Sequence, residues 1–317
     1  MTSVVGIDLG GTKVAAAVLR DRDLGESATQ PTRVDSRDGL IEQLVGMVGE
    51  ALGAAPGKPD AVGIGVPSII EFATGRVVSS VNVPLTDVPL RQVLGDRLGV
   101  PVFVDNDATV AALAEAHDEE LQLVSRNLVM LTVGTGLGGG IVLGGRIFRG
   151  ATGGAGEFGH TLVCVPVDPD VPPASERFPQ AGSLESVASG HALDRTGAGG
   201  MTGAEIVRSA GDGDESAGAA VRRWAHAVGI GVANAINTFD PEEVVIGGGG
   251  AAAGELLLGP AREIAESYIH PGLRGHATVR LARHGVRAGV LGAALLAEHE
   301  LTAGALDPGN ELSGRAA

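Results

Sequence analysis

Near the N-terminus the apolar positions fall in two runs separated by a polar glycine turn: VVGIDL, then GGTK, then VAAAVL, over residues 4–19. Two β-compatible runs joined by Gly-Gly predict a hairpin, not a strand that crosses over into a helix. The plan recurs at residues 128–148, where LVMLTV and IVLGGRIF flank GTGLGGG. Two strand–glycine turn–strand units in one chain point to an internal duplication. The context also excludes two common phosphate-binding motifs. A dinucleotide fingerprint needs its glycines between a strand and a helix, and a P-loop ends in Gly-Lys-Ser/Thr. Taken singly, either turn reads as an ordinary hairpin.

Between the hairpins, AVGIGVPSII (61–70) predicts a strand and turn, and VPVFV (100–104) a buried strand. Apolar residues then recur at helical spacing from Ala108 to His117, which places Asn106 and Asp107 where a strand ends and a helix begins. Further on, Glu215 to Phe239 predicts a helix and Val244 to Ile246 a short strand. GGGGAAAGELLLGPAREIAESY (247–268) follows as a glycine turn leading into a helix, then TVRLAR (278–283) as a strand and Val290 to Glu300 as a final helix. Residues 301–317 are polar and turn-rich and read as a disordered end. Alternating strands and helices make the class α/β.

Composition narrows the possibilities. A chain of 317 residues, 44% hydrophobic, is long enough for two domains with substantial cores. Its apolar runs, such as Ala227 to Ile236, are too short to span a bilayer, and MTSVVGIDLGG lacks the basic and long apolar parts of a signal peptide, so a cytoplasmic location is expected. The single cysteine, Cys164, excludes an internal disulfide framework and reads as a buried, inert thiol. A formal charge of −15 with only two lysines, Lys13 and Lys58, disfavours nonspecific binding to nucleic acid. A phosphate ligand must then be held locally, by backbone amides, helix N-termini and a metal ion.

The ordered set GIDLGGTK (6–13), GIGVP (63–67), VDNDATVAALAE (104–115), GTGLGGGIVLGGRIFRGATGGAGEFGH (134–160), SLESVASG (183–190) and ANAINTFDPEEVVIGGG (233–249) resembles the ROK family of sugar kinases. That family lies within the actin, heat-shock chaperone and hexokinase ATPase superfamily. The likeness runs from Gly6 to about Ala297, and its 134–160 segment is the most specific part. It implies a two-lobed actin-like ATPase (ribonuclease H-like) fold with a central cleft. Residues 1–109 plus 287–317 would form the smaller lobe and 110–286 the larger. The implied activity is transfer of the γ-phosphate of ATP to a hexose hydroxyl, with glucose to glucose 6-phosphate first. Fructose, mannose, allose, an N-acetylhexosamine or a cyclitol stay open as acceptors, and polyphosphate stays open as donor, although few lysines disfavour a long polyanion track.

The resemblance also assigns residues. Asp8 suits a water-mediated Mg²⁺ ligand, because Mg²⁺ prefers carboxylate oxygen and keeps waters. Gly10, Gly11 and Thr12 would face the β- and γ-phosphates, where Lys13 either helps or is a surface lysine. Gly134, Thr135 and Gly136 would face the phosphates from the other lobe, and Gly247, Gly248 and Gly249 would let backbone approach the adenosine. Asp107 reads on its own as a helix N-cap; within this motif set it becomes the base beside the acceptor hydroxyl. Asn106, Glu157, His160, Glu185 and Gly65 map onto sugar-binding positions.

Departures from the family pattern matter equally. Many ROK proteins carry a zinc site built from the histidine of the EFGH-type motif and three cysteines. Here Ser183 stands where the last cysteine would be, and Cys164 lies too close to His160 to replace one. One cysteine and one histidine do not complete a tetrahedral site, so no bound zinc is expected. His160 would then serve the sugar alone, while the Pro-rich stretch in 165–182 stiffens the loop. At 66–71, VPSIIE has Ser68 where the family often has glycine, which would narrow or polarise the sugar pocket. His117, His191 and His226 read as packed or surface histidines. Some ROK proteins are repressors with a winged helix-turn-helix before the first hairpin; here the hairpin begins at Val4, which argues against that reading, while Asp107 and the two glycine hairpins argue against a non-enzymatic sugar sensor. A homodimer or homotetramer is expected from the resemblance.

Overall fold

The computed structural model describes residues 2–53, 57–164, 178–197 and 200–306. They divide into two compact units. The first comprises Met1–Ala114, Arg149–Gly154 and Arg287–Ala317, and the second Glu115–Phe148 and Ala155–Val286.

The first unit is built on strands β1 (Ser3–Leu9), β2 (Lys13–Arg20), β3 (Asp23–Leu24), β4 (Ala28–Pro31), β5 (Ala61–Val66) and β8 (Val102–Asn106). Their order is β3-β2-β1-β5-β8, with β4 beside β2. The predicted hairpin is present: β1 and β2 pair antiparallel from Ser3↔Arg20 to Leu9↔Val14, while β5 and β8 extend the sheet in parallel. A separate hairpin joins β6 (Ser68–Glu71) to β7 (Arg76–Ser80). Helix α1 (Arg37–Leu52) is capped by Ser36, whose side chain accepts from the Gly39 N–H, and it buries Leu40, Ile41, Leu44, Met47 and Val48. Helices α2 (Leu90–Leu98), α3 (Asp107–Glu115) and α9 (Ala288–Leu306) complete the unit, α3 ending one residue beyond its border.

Helix α9 lies directly on backbone. A Cβ added at Gly63 of β5 would stand 1.8 Å from the Ala293 carbonyl oxygen, and one at Gly292 would stand 1.8 Å from the Val110 carbonyl oxygen in α3. Only hydrogen fits at either position, so these glycines set how closely α9 approaches both the sheet and the helix that begins with Asp107.

The second unit repeats the plan of the first sheet. Strands β9 (Leu128–Val133), β10 (Leu137–Leu143), β11 (Arg146–Ile147), β12 (Glu243–Gly247) and β13 (Thr278–Leu281) run in the order β11-β10-β9-β12-β13. Again an antiparallel hairpin, β9–β10, is extended by two parallel strands. Helices α4 (Leu184–Ala188), α5 (Gly190–Asp194), α6 (Gly203–Gly211), α7 (Glu215–Phe239) and α8 (Glu255–Tyr268) cover it. Helix α7 has the predicted bounds. Asp214 caps its start, and Asp240, at φ 44°, ends it just before Pro241. Its face of Ala217, Val221, Trp224, Val228 and Val232 enters the core with Val129, Leu131 and Leu257.

Two expectations are corrected. The polar tail does not begin at Leu301: α9 continues to Leu306, because Leu301, Ala303 and Ala305 are compatible with the helix that already runs through Glu300. Cys164 is free and exposed, not buried. It sits just past the Leu162↔Ser183 bridge. Of the Pro-rich stretch, residues 165–177 lie outside the described residues. No helix among the described residues is long and apolar enough to cross a membrane.

Gly63→Ala is expected to cost on the order of 1–3 kcal/mol in chemical denaturation, through overpacking against the α9 backbone. Gly46→Ala in α1, where nothing lies within 4 Å of the added methyl, serves as the control and should be neutral or slightly stabilising.

Candidate active site

In the first unit the strand register sets the chemistry. Asp8 of β1 stands beside Gly65 of β5, and Gly65 stands beside Asp105 of β8, all at the C-terminal ends of parallel strands. That edge is where open α/β sheets bind ligands. The turn leaving β1 is tight, with the Gly10 N–H donating to the Lys13 carbonyl at 2.9 Å. It is buttressed by Thr32, whose hydroxyl donates to the Gly10 carbonyl at 2.7 Å and whose N–H donates to the Thr12 carbonyl at 3.0 Å. Thr32 had no signal in the sequence, because its role depends on β4 lying alongside β2. Thr12 and Lys13 are exposed.

Asn106 and Asp107 occupy the predicted strand-to-helix junction, but their local roles differ from a simple Asp107 cap. The Asn106 side-chain oxygen accepts from the Thr109 N–H at 3.0 Å and so performs the capping, while Asp107 is the first residue of α3. Asn106 Nδ2 donates to the Ser68 carbonyl at 3.3 Å, leaving one further donor and one lone pair on the amide. Gly65 admits this corner: a Cβ there would come within 3.3 Å of Asp107 Cα and 2.7 Å of Val110 Cγ2. In β6 Ser68 alternates inward with Ile70, and its hydroxyl is buried without a hydrogen-bond partner among the described residues.

The carboxyl of Asp8 is pushed up to about 6, chiefly by burial and secondarily by the Asp107 charge, with Lys13 acting in the opposite direction. Burial and a nearby like charge together raise the Asp8 carboxyl, and a carboxylate in such a place is the kind of oxygen donor that a hard divalent cation prefers.

In the second unit, the β9–β10 turn is held by an N–H···O bond from Gly134 to Gly136 at 2.9 Å. It is also tied to the α4–α5 region, where the Gly190 N–H donates to the Gly134 carbonyl at 2.7 Å and Glu185 Oε2 accepts from the Leu137 N–H at 2.8 Å. Beyond β12, Gly248 has φ 76°, and a Cβ there would lie 2.5 Å from the Val133 carbonyl oxygen, so only glycine carries the chain past β9. Thr135, His191, Arg208, Trp224, Gly249 and Ala253 line a cavity of about 550 Å³, within the range of a nucleoside-sized site. His191, expected from the sequence to be a packed or surface histidine, instead lines that cavity from the start of α5.

Glu157 precedes a single 3-10 turn, Phe158–His160, that places His160 Nε2 3.7 Å from Glu157 Oε2 with both side chains half exposed. Phe158 anchors the turn by an edge-on contact with Phe239, and a Cβ at Gly159 would lie 3.3 Å from Glu185 Cβ. The turn therefore brings Glu157, His160 and Glu185 to one region of the second unit. Among the described residues no group of three or more His, Cys, Asp or Glu side chains is placed to hold a metal ion.

The ROK family model matches residues 4–300. The chain belongs to the ROK family. A ROK-length relative, the glucokinase of Halalkalibacterium halodurans, is 34% identical, with 97% of this chain and 98% of the relative aligned. The xylose repressor of Caldicellulosiruptor bescii is 33% identical over 83% of this chain and 69% of its own length. Among solved structures, a ROK glucokinase from Streptomyces griseus in complex with glucose and AMPPNP superposes with a TM-score of 0.77 at 31% identity, over 94% of this chain and 99% of that one. The fold of this ROK protein is accordingly the α/β actin-like ATPase fold.

Asp8 carries the pH prediction for the metal-free protein. The folded state keeps a proton on Asp8 up to about pH 6, whereas the unfolded carboxyl has the ordinary value of 3.8. The folded state therefore binds more protons in that window, so the contribution of Asp8 to stability falls as pH rises through it, and the deficit is complete above about 6. Asp8→Asn should exceed wild type in melting temperature in EDTA by a margin that grows between about pH 4 and about pH 8. A constant margin refutes the assignment.

Proposed function

We propose that this ROK protein is an ATP-dependent sugar kinase whose preferred acceptor is the 6-hydroxyl of glucose. The observation that carries the reading is the meeting of two carboxyl-bearing residues at Gly65, which registers beside Asp8 and whose notional Cβ lies 3.3 Å from the Asp107 Cα at the head of α3: Asp8 for the metal and Asp107 for the acceptor. Phosphoryl transfer depends on positioning and charge neutralisation, with a carboxylate to orient the attacking hydroxyl. Asp107 accepts the proton of the sugar hydroxyl as its oxygen attacks the γ-phosphorus and the bond to the bridging β-phosphate oxygen breaks, releasing ADP. Amides of Gly10, Gly11 and Thr12, and of Gly134, Thr135 and Gly136, donate to phosphate oxygens, with Lys13 beside them. Gly247, Gly248 and Gly249 accommodate the adenosine. Asp8 would hold Mg²⁺ through water, and that ion would supply neutralisation of charge on the phosphates. Asn106, Glu157, His160, Glu185 and the Gly65 backbone hold the remaining sugar hydroxyls.

The repressor relative defines the competing reading, a sugar sensor without turnover. The retention of Asp107 and of both glycine hairpins favours the kinase. We also assign the protein to the cytoplasm, working as a homodimer or homotetramer.

The test is ADP release with Mg-ATP across glucose, fructose, mannose, allose, N-acetylhexosamines and inositol, with Asp107→Ala in parallel. Glucose should give the highest kcat/KM, and Asp107→Ala should lower kcat by about 10²–10⁴-fold with ATP affinity retained. Sugar binding without turnover on any acceptor establishes the sensor instead.

A further inference from the structure

A second buried carboxylate stands two residues before Asp107 and is compensated in a different way. The side chain of Asp105 is 3% exposed, and both of its oxygens are committed. Oδ2 accepts from Arg149 Nε at 2.7 Å, and Oδ1 accepts from the Asn106 backbone N–H at 2.9 Å. Burial raises the Asp105 carboxyl above the ordinary value, and Arg149 opposes that rise.

Arg149 is itself held on several sides. Its guanidinium carbon lies 3.4 Å from the centre of the Phe72 ring, a stacked cation–π contact, and Nη2 reaches Glu300 of α9 at 3.3 Å. Phe72 is fixed in turn by Arg91, which donates to the Phe72 and Ala73 carbonyls at 2.5 and 2.9 Å. Four residues further on, a Cβ at Gly153 would stand 1.9 Å from the Ile70 carbonyl oxygen, so the segment Arg149–Gly154 is pinned at both ends within the first unit. Glu157 follows three residues after that segment.

We propose that Arg149 is a positioning residue for the acceptor: through the buried Asp105 carboxylate it fixes the Asn106 amide and thereby the turn that presents Asp107. Consecutive residues then have separate duties. Asp105 holds the backbone, the Asn106 side chain caps α3, and Asp107 heads the helix. A buried ion pair is an inefficient way to add stability, since well-packed apolar groups serve as well. Its use beside a reacting carboxylate, with a planar guanidinium clamped against a ring, is suited to fixing geometry. The inference rests on the reading of Asp107 as the base.

The experiment measures kcat, both KM values and melting temperature for Arg149→Met, Arg149→Lys, Asp105→Asn and the Arg149→Met/Asp105→Asn double variant, beside Asp107→Ala, with the best sugar of the panel. Arg149→Met should lower kcat by about 10²-fold, as expected for small misplacement of a reacting group, with the KM for ATP within about twofold of wild type. Arg149→Lys, which keeps the charge but not the planar fork, should recover part of that loss. In the Asp105→Asn background, Arg149→Met should change kcat little further, because the arginine acts through that carboxylate. Full multiplicative loss in the double variant overturns the proposal. So does a kcat of Arg149→Met near wild type while Asp107→Ala is inactive, which leaves the base assignment standing and reduces the brace to a structural part. Turnover that survives Asp107→Ala removes the base assignment itself, and the proposal with it. Should Arg149→Met fail to fold, Arg149→Lys and Asp105→Asn carry the same comparison.

Discussion

Close backbone contact made possible by missing side chains is the constraint on which the first unit depends. Helix α9 meets β5 at Gly63 and α3 at Gly292, with less than 2 Å between a notional Cβ and the facing carbonyl oxygen in each case. Gly65 does the same at the corner where α3 leaves β8. These contacts place the N-terminus of α3, and so Asp107, against the strand end that carries Asp8. Burial of the apolar faces of α1 and α9 supplies most of the driving force, but non-directional burial does not choose this spacing. The steric limit does.

Against that frame, three acidic side chains show how differently a buried charge can be settled in a chain of net charge −15. Glu115, fully buried, accepts from Arg280 at 2.7 Å and from the Arg283 and His284 N–H groups at 2.9 Å each. Asp105 has Arg149 and an amide. Asp8 has only the influence of Lys13 against burial and the Asp107 charge. The first two are satisfied by the protein alone. Burial raises the carboxyls of both Asp105 and Asp8, but Arg149 and an amide oppose the rise at Asp105, whereas the Asp107 charge adds to it at Asp8.

Much of the fold was legible because its elements repeat strong local patterns. The two hairpins were readable from apolar runs on either side of Gly10-Gly11 and Gly134–Gly136, and α7 from its long 3.6-residue periodicity. Helix α1 carries the same signals, Ser36 as cap and Leu40, Ile41, Leu44, Met47 and Val48 at helical spacing. The errors came from context. Residue type alone points to a buried Cys164, whereas exposure depends on what packs over it. The end of α9 was judged from polar composition, although a helix already nucleated propagates readily through Leu301 to Leu306.

The sequence by itself determined the family, the α/β alternation, the glycine hairpins and the acidic residue at the head of α3, because each depends on local backbone preferences or on motifs contiguous in the chain. Only the tertiary structure decided which acids are satisfied. Whether Asp105 meets Arg149, Asp8 feels the Asp107 charge, or the Ser68 hydroxyl finds a partner depends on residues tens of positions apart. The deciding quantities, dielectric surroundings and hydrogen-bond geometry, exist only once the sheet and its covering helices have brought those residues together.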